Sequence, residues 1–266
     1  MANHHGDFIW YELMTSDAPA AEAFYAGLMG WSFRSAGPAG ATGYRVFAQD
    51  GPEAGGMMQI DAGMQAGGAR PLWAGYIGVD EVDATVERVA GEGGSILTGP
   101  MDIEGVGRFA FVTDPNGAPF YVMRGISNET SRAFAQDAPR AGHCAWNELH
   151  ATDPGRALCF YGACFGWEVG HRMDMGPMGA YEMLRNLPHE TMLGAVRRAT
   201  AEGPPPIWHF YFRVSDIDAA SAYVTTNGGS VRGEAREIPG GEFTLSVSDP
   251  QGAAFSLIGQ RAGKSG

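Results

Sequence analysis

Residues 8–15 read FIWYELMT, an apolar stretch whose alternate positions share a face, and this predicts a strand. Asp17 follows as an N-cap, then the helical run AAEAFYAGLM over 20–29, with Gly30 as its stop. Short apolar stretches over 44–49 and 56–60 predict two more strands. The order then starts again. WAGYIGV over 73–79 predicts a strand, Asp80-Glu81 opens a helix (VDATVERVAGEG), and Gly93-Gly94 ends it. Strands are expected over 96–99, 108–113 and 119–123. The turn Asp114-Pro115-Asn116-Gly117 should join the last two as a hairpin, with Asn-Gly supplying positive φ.

The whole pattern then recurs. Trp10, Glu12 and Leu13 return as Trp146, Glu148 and Leu149, and Phe24-Tyr25 with Gly30-Trp31 return as Phe160-Tyr161 with Gly166-Trp167, at an offset of 136. Trp73, Tyr76, Val79 and Asp114-Pro115 return as Trp208, Tyr211, Val214 and Asp249-Pro250, at an offset of 135. The chain is therefore expected to hold two repeats, 1–125 and 142–266, joined by a polar, aperiodic linker over 126–141. Each repeat holds two βαβββ modules. The fold class is α+β, too mixed for an all-β sandwich and with too few helices for a doubly wound sheet.

Composition narrows the function classes. With 44% hydrophobic and 18% charged residues the chain is globular. Acidic residues outnumber basic ones 30 to 18, for a net charge of −12. That balance argues against a nucleic-acid partner or an anionic membrane surface, because the densest basic spot is Arg197-Arg198 and the single lysine is Lys264. No apolar run reaches the length of a membrane span, and the N-terminus lacks a signal-peptide pattern, so a cytoplasmic location is expected. Cys144, Cys159 and Cys164 lack CxxC spacing and are expected to be small buried hydrophobes. Oligomeric state is left open.

Four βαβββ modules, the Phe-Tyr pair, the Gly-Trp after the helix and the Asp-Pro-x-Gly hairpin resemble the vicinal oxygen chelate superfamily of glyoxalases, bleomycin-resistance proteins and extradiol dioxygenases. The openings Trp10-Tyr11-Glu12-Leu13 and Trp146-Asn147-Glu148-Leu149 also resemble its actinobacterial antigen and hydroxylase-like branch. The resemblance covers both repeats. It implies two curled mixed-sheet cups, each able to hold a small ligand, and in chelating members a divalent metal held by His or Glu. Carried over residue by residue, the ligand positions here are Trp10, Ala74 and Tyr121 in the first repeat, and Trp146, His209 and Ser256 in the second. Only His209 is a good ligand, so no cofactor or metal is expected.

Alternation then selects the cup-facing residues. Trp10, Glu12 and Met14 share a face with Ala74, Tyr76 and Gly78 opposite, where Tyr121 offers a further hydroxyl; Trp146, Glu148 and His150 share another, with His209, Tyr211 and Arg213 opposite. Glu12 and Glu148 are the candidate catalytic carboxylates, since a carboxylate facing an aromatic pocket needs a partner or a raised pKa. Glu148 is expected to pair with His209 or Arg213, making the second cup the more polar. The leading expectation is a small-molecule-binding protein without the metal triad, with or without catalysis. The alternatives are a divalent-metal lyase or dioxygenase using Glu148, His150 and His209, and an interaction protein whose tryptophans fill their own cups.

Overall fold

The computed structural model describes residues 3–36, 43–135, 138–187, 189, 191–200 and 205–261. Lys264 and linker positions 136 and 137 lie outside them. The four modules are all present. The first is β1 (Phe8–Thr15), α1 (Ala18–Met29), β2 (Ser32–Ser35), β3 (Arg45–Ala48) and β4 (Glu53–Gln59), followed by the short α2 (Ala62–Ala66). The second is β5 (Leu72–Gly78), α3 (Val82–Gly91), β6 (Ser95–Ile103), β7 (Gly107–Thr113) and β8 (Pro119–Gly125). The third is β9 (Cys144–Ala151), α4 (Pro154–Phe165), β10 (Glu168–Asp174), β11 (Ala180–Arg185) and β12 (Met192–Arg198). The fourth is β13 (Ile207–Asp216), α5 (Ile217–Thr226), β14 (Ser230–Glu237), β15 (Phe243–Ser248) and β16 (Ala254–Gln260). The fold is α+β, with two open, mixed eight-stranded sheets ordered β2-β3-β4-β1-β5-β8-β7-β6 and β10-β11-β12-β9-β13-β16-β15-β14.

Local chemistry sets the element ends. Asp17 and Asp153 cap α1 and α4 by accepting the amides of Ala20 and Arg156 at 3.1 Å. Gly30 and Gly166 stop the same helices at φ 70° and 72°, a region where a side chain would be strained. The first strand of each module pairs in parallel with its last strand, and the middle strands run antiparallel. Two glycines allow close approach in the parallel pairs. A Cβ on Gly55 would stand 2.3 Å from the Tyr11 carbonyl oxygen, and one on Gly194 2.1 Å from that of Asn147. Gly194 thus lets β12 lie against β9.

The chain packs as two compact units, each drawn from both repeats: 1–10, 74–131 and 146–209 form one, and 11–73, 132–145 and 210–266 the other. Each has the same polar lock at its centre. In the first, the Trp208 indole donates to the Tyr161 hydroxyl at 2.8 Å, and that hydroxyl donates to Asp114 at 3.5 Å. In the second, Trp73 donates to Tyr25 at 3.1 Å and Tyr25 to Asp249 at 3.1 Å. Both tyrosines are fully buried, and burial raises their pKa well above the ordinary value. The aspartates in turn accept two turn amides each, from Asn116 and Ala118 and from Gln251 and Ala253. The repeated Phe-Tyr and Asp-Pro-x-Gly motifs are therefore two ends of one buried hydrogen bond.

Two local expectations change. In the Asp114 turn only Gly117 takes positive φ, at 95°; Asp50 is the one non-glycine residue with positive φ among those described. Asn116 instead uses its side chain, accepting from the Thr152 hydroxyl and the Asp153 amide at 2.8 Å. Cys144 and Cys164 are buried, but Cys159 is exposed, because its place on α4 faces away from the sheet. Among the described residues no helix is long and apolar enough to cross a membrane.

Candidate functional site

Strand β9 places Trp146, Glu148 and His150 on one face, with Trp146 half-buried and the Glu148 side chain only 5% exposed. Register brings in two further residues. His150 lies beside Arg197 in the parallel β9–β12 pair, and Arg197 lies beside Tyr181 in the antiparallel β11–β12 pair. His150, Arg197 and Tyr181 thus form one row across three strands, on the face that carries Glu148.

The side chains in this patch form one network. The Tyr181 hydroxyl donates to Glu148 Oε2 at 2.7 Å and accepts from the Trp146 indole at 2.8 Å. His150 Nε2 lies 2.6 Å from Glu148 Oε1, and the Arg197 guanidinium 3.6 Å from the same oxygen. An ionised carboxylate only accepts, so Nε2 carries the proton in this contact and Nδ1 is the outward nitrogen. The His150 ring lies near-parallel to that of His209, at 5.5 Å and 17°. Burial works against the charge on Glu148. The hydrogen bond and charge of His150, the Tyr181 hydroxyl and the Arg197 charge outweigh it and hold the carboxyl at about 2, ionised at neutral pH.

The expected pairing of Glu148 with His209 or Arg213 is corrected. Its partners are His150, Tyr181 and Arg197, whereas Arg213 pairs with Glu242. The reason is register: Arg197 sits one strand away from Glu148, on β12. Sequence reasoning misses Tyr181 and Arg197 as site residues; the only signal it offers is Arg197-Arg198 as the densest basic spot.

The first repeat builds the same frame with different chemistry. Glu12 is buried at 2% exposure, Met14 at 4%, and Trp10 is half-buried. In the parallel β1–β4 pair Met14 lies beside Met58, so Met14 and Met58 stand where His150 and Arg197 stand in the second repeat. Further along the same repeat, Tyr76 and Tyr121 are neighbours in the β5–β8 pair and stack at 4.1 Å and 14°, with Phe111 stacked on Tyr121 at 4.3 Å. Tyr211 lies beside Ser256 on β16, whose hydroxyl is 3.2 Å from that of Ser246.

The alternative metal set is Glu148, His150 and His209. A metal site needs donors that converge on one open point. Here both Glu148 oxygens are engaged, Oε1 by His150 and Oε2 by Tyr181, and Arg197 already supplies a cation beside the carboxylate. Among the described residues no group of three His, Cys, Asp or Glu side chains is placed to hold a metal ion. The residues as arranged do not fit one.

Comparison with known proteins places this frame. The family model for the glyoxalase/bleomycin resistance protein/dioxygenase superfamily matches residues 7–122 and 140–257. A protein of Mycobacterium tuberculosis named "Putative glyoxylase CFP32" is 34% identical over 251 residues, covering 94% of this chain and 93% of its own. The anthracycline biosynthesis protein DauV of a Streptomyces species is 32% identical over 260 residues, covering 94% and 91%. The crystal structure of the Mn(II)-bound glyoxalase from Novosphingobium aromaticivorans superposes with a TM-score of 0.64 at 16% identity, over 97% of this chain and 83% of the other.

Proposed function

We propose, from the premise that the chain belongs to the glyoxalase/bleomycin resistance protein/dioxygenase superfamily, that it binds a small, flat, largely aromatic organic molecule on the Trp146–Glu148–His150 face of the second repeat, without a metal. The observation that carries this reading is the buried, ionised Glu148 with three partners around it. Taking a carboxylate out of water costs several kcal/mol, which needs partners to offset it. The first repeat buries Glu12 at the matching position, but methionines occupy the rows of His150 and Arg197 there, so the basic partners are particular to the second repeat. The half-buried Trp146 supports a flat ligand, because an indole face favours planar and cationic molecules. A relative named for anthracycline biosynthesis agrees with this ligand class. The first repeat, with Met14, Met58 and the Tyr76–Tyr121–Phe111 stack, is the more apolar of the two.

The polar network has a defined division of labour. Tyr181 and Glu148 fix the His150 ring, Trp146 fixes Tyr181, and Arg197 presents positive charge at the edge. The test is titration of chelator-treated protein with a panel of flat aromatic molecules, followed by tryptophan fluorescence. Binding that weakens about tenfold or more in Trp146→Phe and stays unchanged in Trp10→Phe supports the reading. Binding that requires stoichiometric added divalent metal overturns it in favour of a metal lyase or dioxygenase. No binding by any member of the panel favours an interaction role.

A further inference from the structure

We infer that His4 and His189 form a surface site for a divalent metal ion of the zinc type, with water completing the coordination sphere. The site goes beyond the ligand-binding reading and does not rest on it. It shares no residue with the Trp146–Glu148–His150 face.

Two turns carry the histidines. The Asp7 amide donates to the His4 carbonyl at 3.1 Å, and the His189 amide to the Asn186 carbonyl at 2.9 Å. The first turn leads into β1, and the second follows β11 on the way to β12. Side chains lock the two turns together. Asp7 accepts the His4 amide on Oδ2 at 2.7 Å; on Oδ1 it accepts the Asn186 side chain at 2.8 Å and His189 Nε2 at 2.9 Å. Asn186 also donates to the His5 carbonyl at 2.9 Å. Asp7 and His189 are 182 positions apart in the chain, so this is a tertiary contact and not a local turn bond.

The network leaves two imidazole nitrogens available at one place. A carboxylate oxygen accepts, so His189 Nε2 carries the proton and Nδ1 keeps its lone pair. Among the described residues Nδ1 of His189 makes no hydrogen bond, and its side chain is 28% exposed. A carboxylate that holds one nitrogen of a histidine and leaves the other outward is the usual outer partner of a metal-bound imidazole. His4 is exposed, and among the described residues its ring nitrogens make no hydrogen bond either. The two rings stand 5.1 Å apart, centre to centre, at 77°. Two imidazoles on one tetrahedral ion, each with a metal–nitrogen bond of ~2.1 Å, also have centres on the order of 5 Å apart. His5, the next residue, differs from both: Nε2 is 3.1 Å from the Cys164 carbonyl and Nδ1 accepts the Asp80 amide at 3.2 Å.

The donor set selects the ion. Imidazole nitrogens suit zinc, nickel and copper, whereas magnesium and calcium require oxygen. Asp7 stays an outer partner and is not a third ligand, in keeping with the lack of any three-residue metal group among the described residues. A bound ion would clip the segment before β1 to the turn between β11 and β12.

The probe is zinc chloride, titrated by calorimetry into the chelator-treated full chain near neutral pH. Wild-type protein should bind zinc, and His4→Ala and His189→Gln should each weaken that binding about tenfold or more. Glutamine keeps an N–H donor for Asp7, so the second turn is retained without the imidazole. His5→Ala should leave zinc affinity unchanged, and excess magnesium should not compete. Long-range 1H–15N spectra of the zinc-bound protein should show His189 coordinated through Nδ1 with its Nε2 proton in place, and Asp7→Asn should weaken binding. No zinc binding by wild type, affinity that survives either His4→Ala or His189→Gln, an equal loss in His5→Ala, or coordination of His189 through Nε2 overturns the inference.

Discussion

Replacing Glu148 by Gln keeps the shape of the side chain and removes its charge, and the structure sets the size of the effect. The folded carboxyl sits at about 2 against an ordinary 4.5, which at ~1.4 kcal/mol per pH unit corresponds to about 3 kcal/mol of stability at pH 7. A separate route agrees. Charge-assisted hydrogen bonds contribute ~1.5–3 kcal/mol and neutral ones ~1, so weakening the bonds from His150 and Tyr181 costs about 1–4 kcal/mol. The amide nitrogen of the substituted side chain would also face a donor. Because the folded pKa is lowered, the stabilisation is complete above about pH 4.5 and is lost as pH falls toward 2. Urea unfolding of wild type and Glu148→Gln at pH 7 and near pH 3 checks this, since the other carboxylates titrate in both proteins and cancel. We predict a gap of about 3 kcal/mol at pH 7 that narrows at the lower pH. A gap under about 1 kcal/mol at pH 7, or one equal at both pH values, refutes the claim that Glu148 is held ionised by its partners.

Tyr161→Phe and Tyr25→Phe should each cost about 1–3 kcal/mol in unfolding experiments, by orphaning a buried indole N–H and an aspartate oxygen, and should leave ligand binding unchanged. Burial lowers the pKa of His143, whose Nδ1 donates to the Arg132 carbonyl at 2.8 Å, so its contribution is intact above its ordinary 6.5 and is lost as pH falls below it; His143→Gln should remove that part of the pH dependence of thermal stability. Native protein should expose one fast-reacting thiol, Cys159, to a disulfide reagent, and all three after denaturation, because Cys144 is buried and burial pushes the Cys164 thiol up to about 12.

The modules were legible in the sequence because hydrophobic alternation, Asp caps and stop glycines repeat at nearly constant spacing. What alternation marks poorly was missed: β2 is four mostly polar residues, SFRS, and α2 is a short Gly-containing turn of helix. Trp146, Glu148 and His150 were legible because alternate residues on one strand share a face. Tyr181 and Arg197 were not, because their place depends on the register of β11 and β12 against β9, and Gly194, which permits that contact, reads only as a glycine. The Phe-Tyr and Asp-Pro-x-Gly motifs were readable as a family signature, but their physical reason was not. Tyr25 and Asp249 are 224 positions apart, and nothing local says that they meet.

The second-repeat face is proposed to hold a flat ligand by its own side chains. A crystal structure of chelator-treated protein soaked with 4-nitrophenol tests it most directly. The probe is expected against Trp146, with Glu148 still bound to His150 and Tyr181. A probe seated only in the first repeat, or a Glu148 turned away from His150 and Tyr181 when ligand binds, would contradict it.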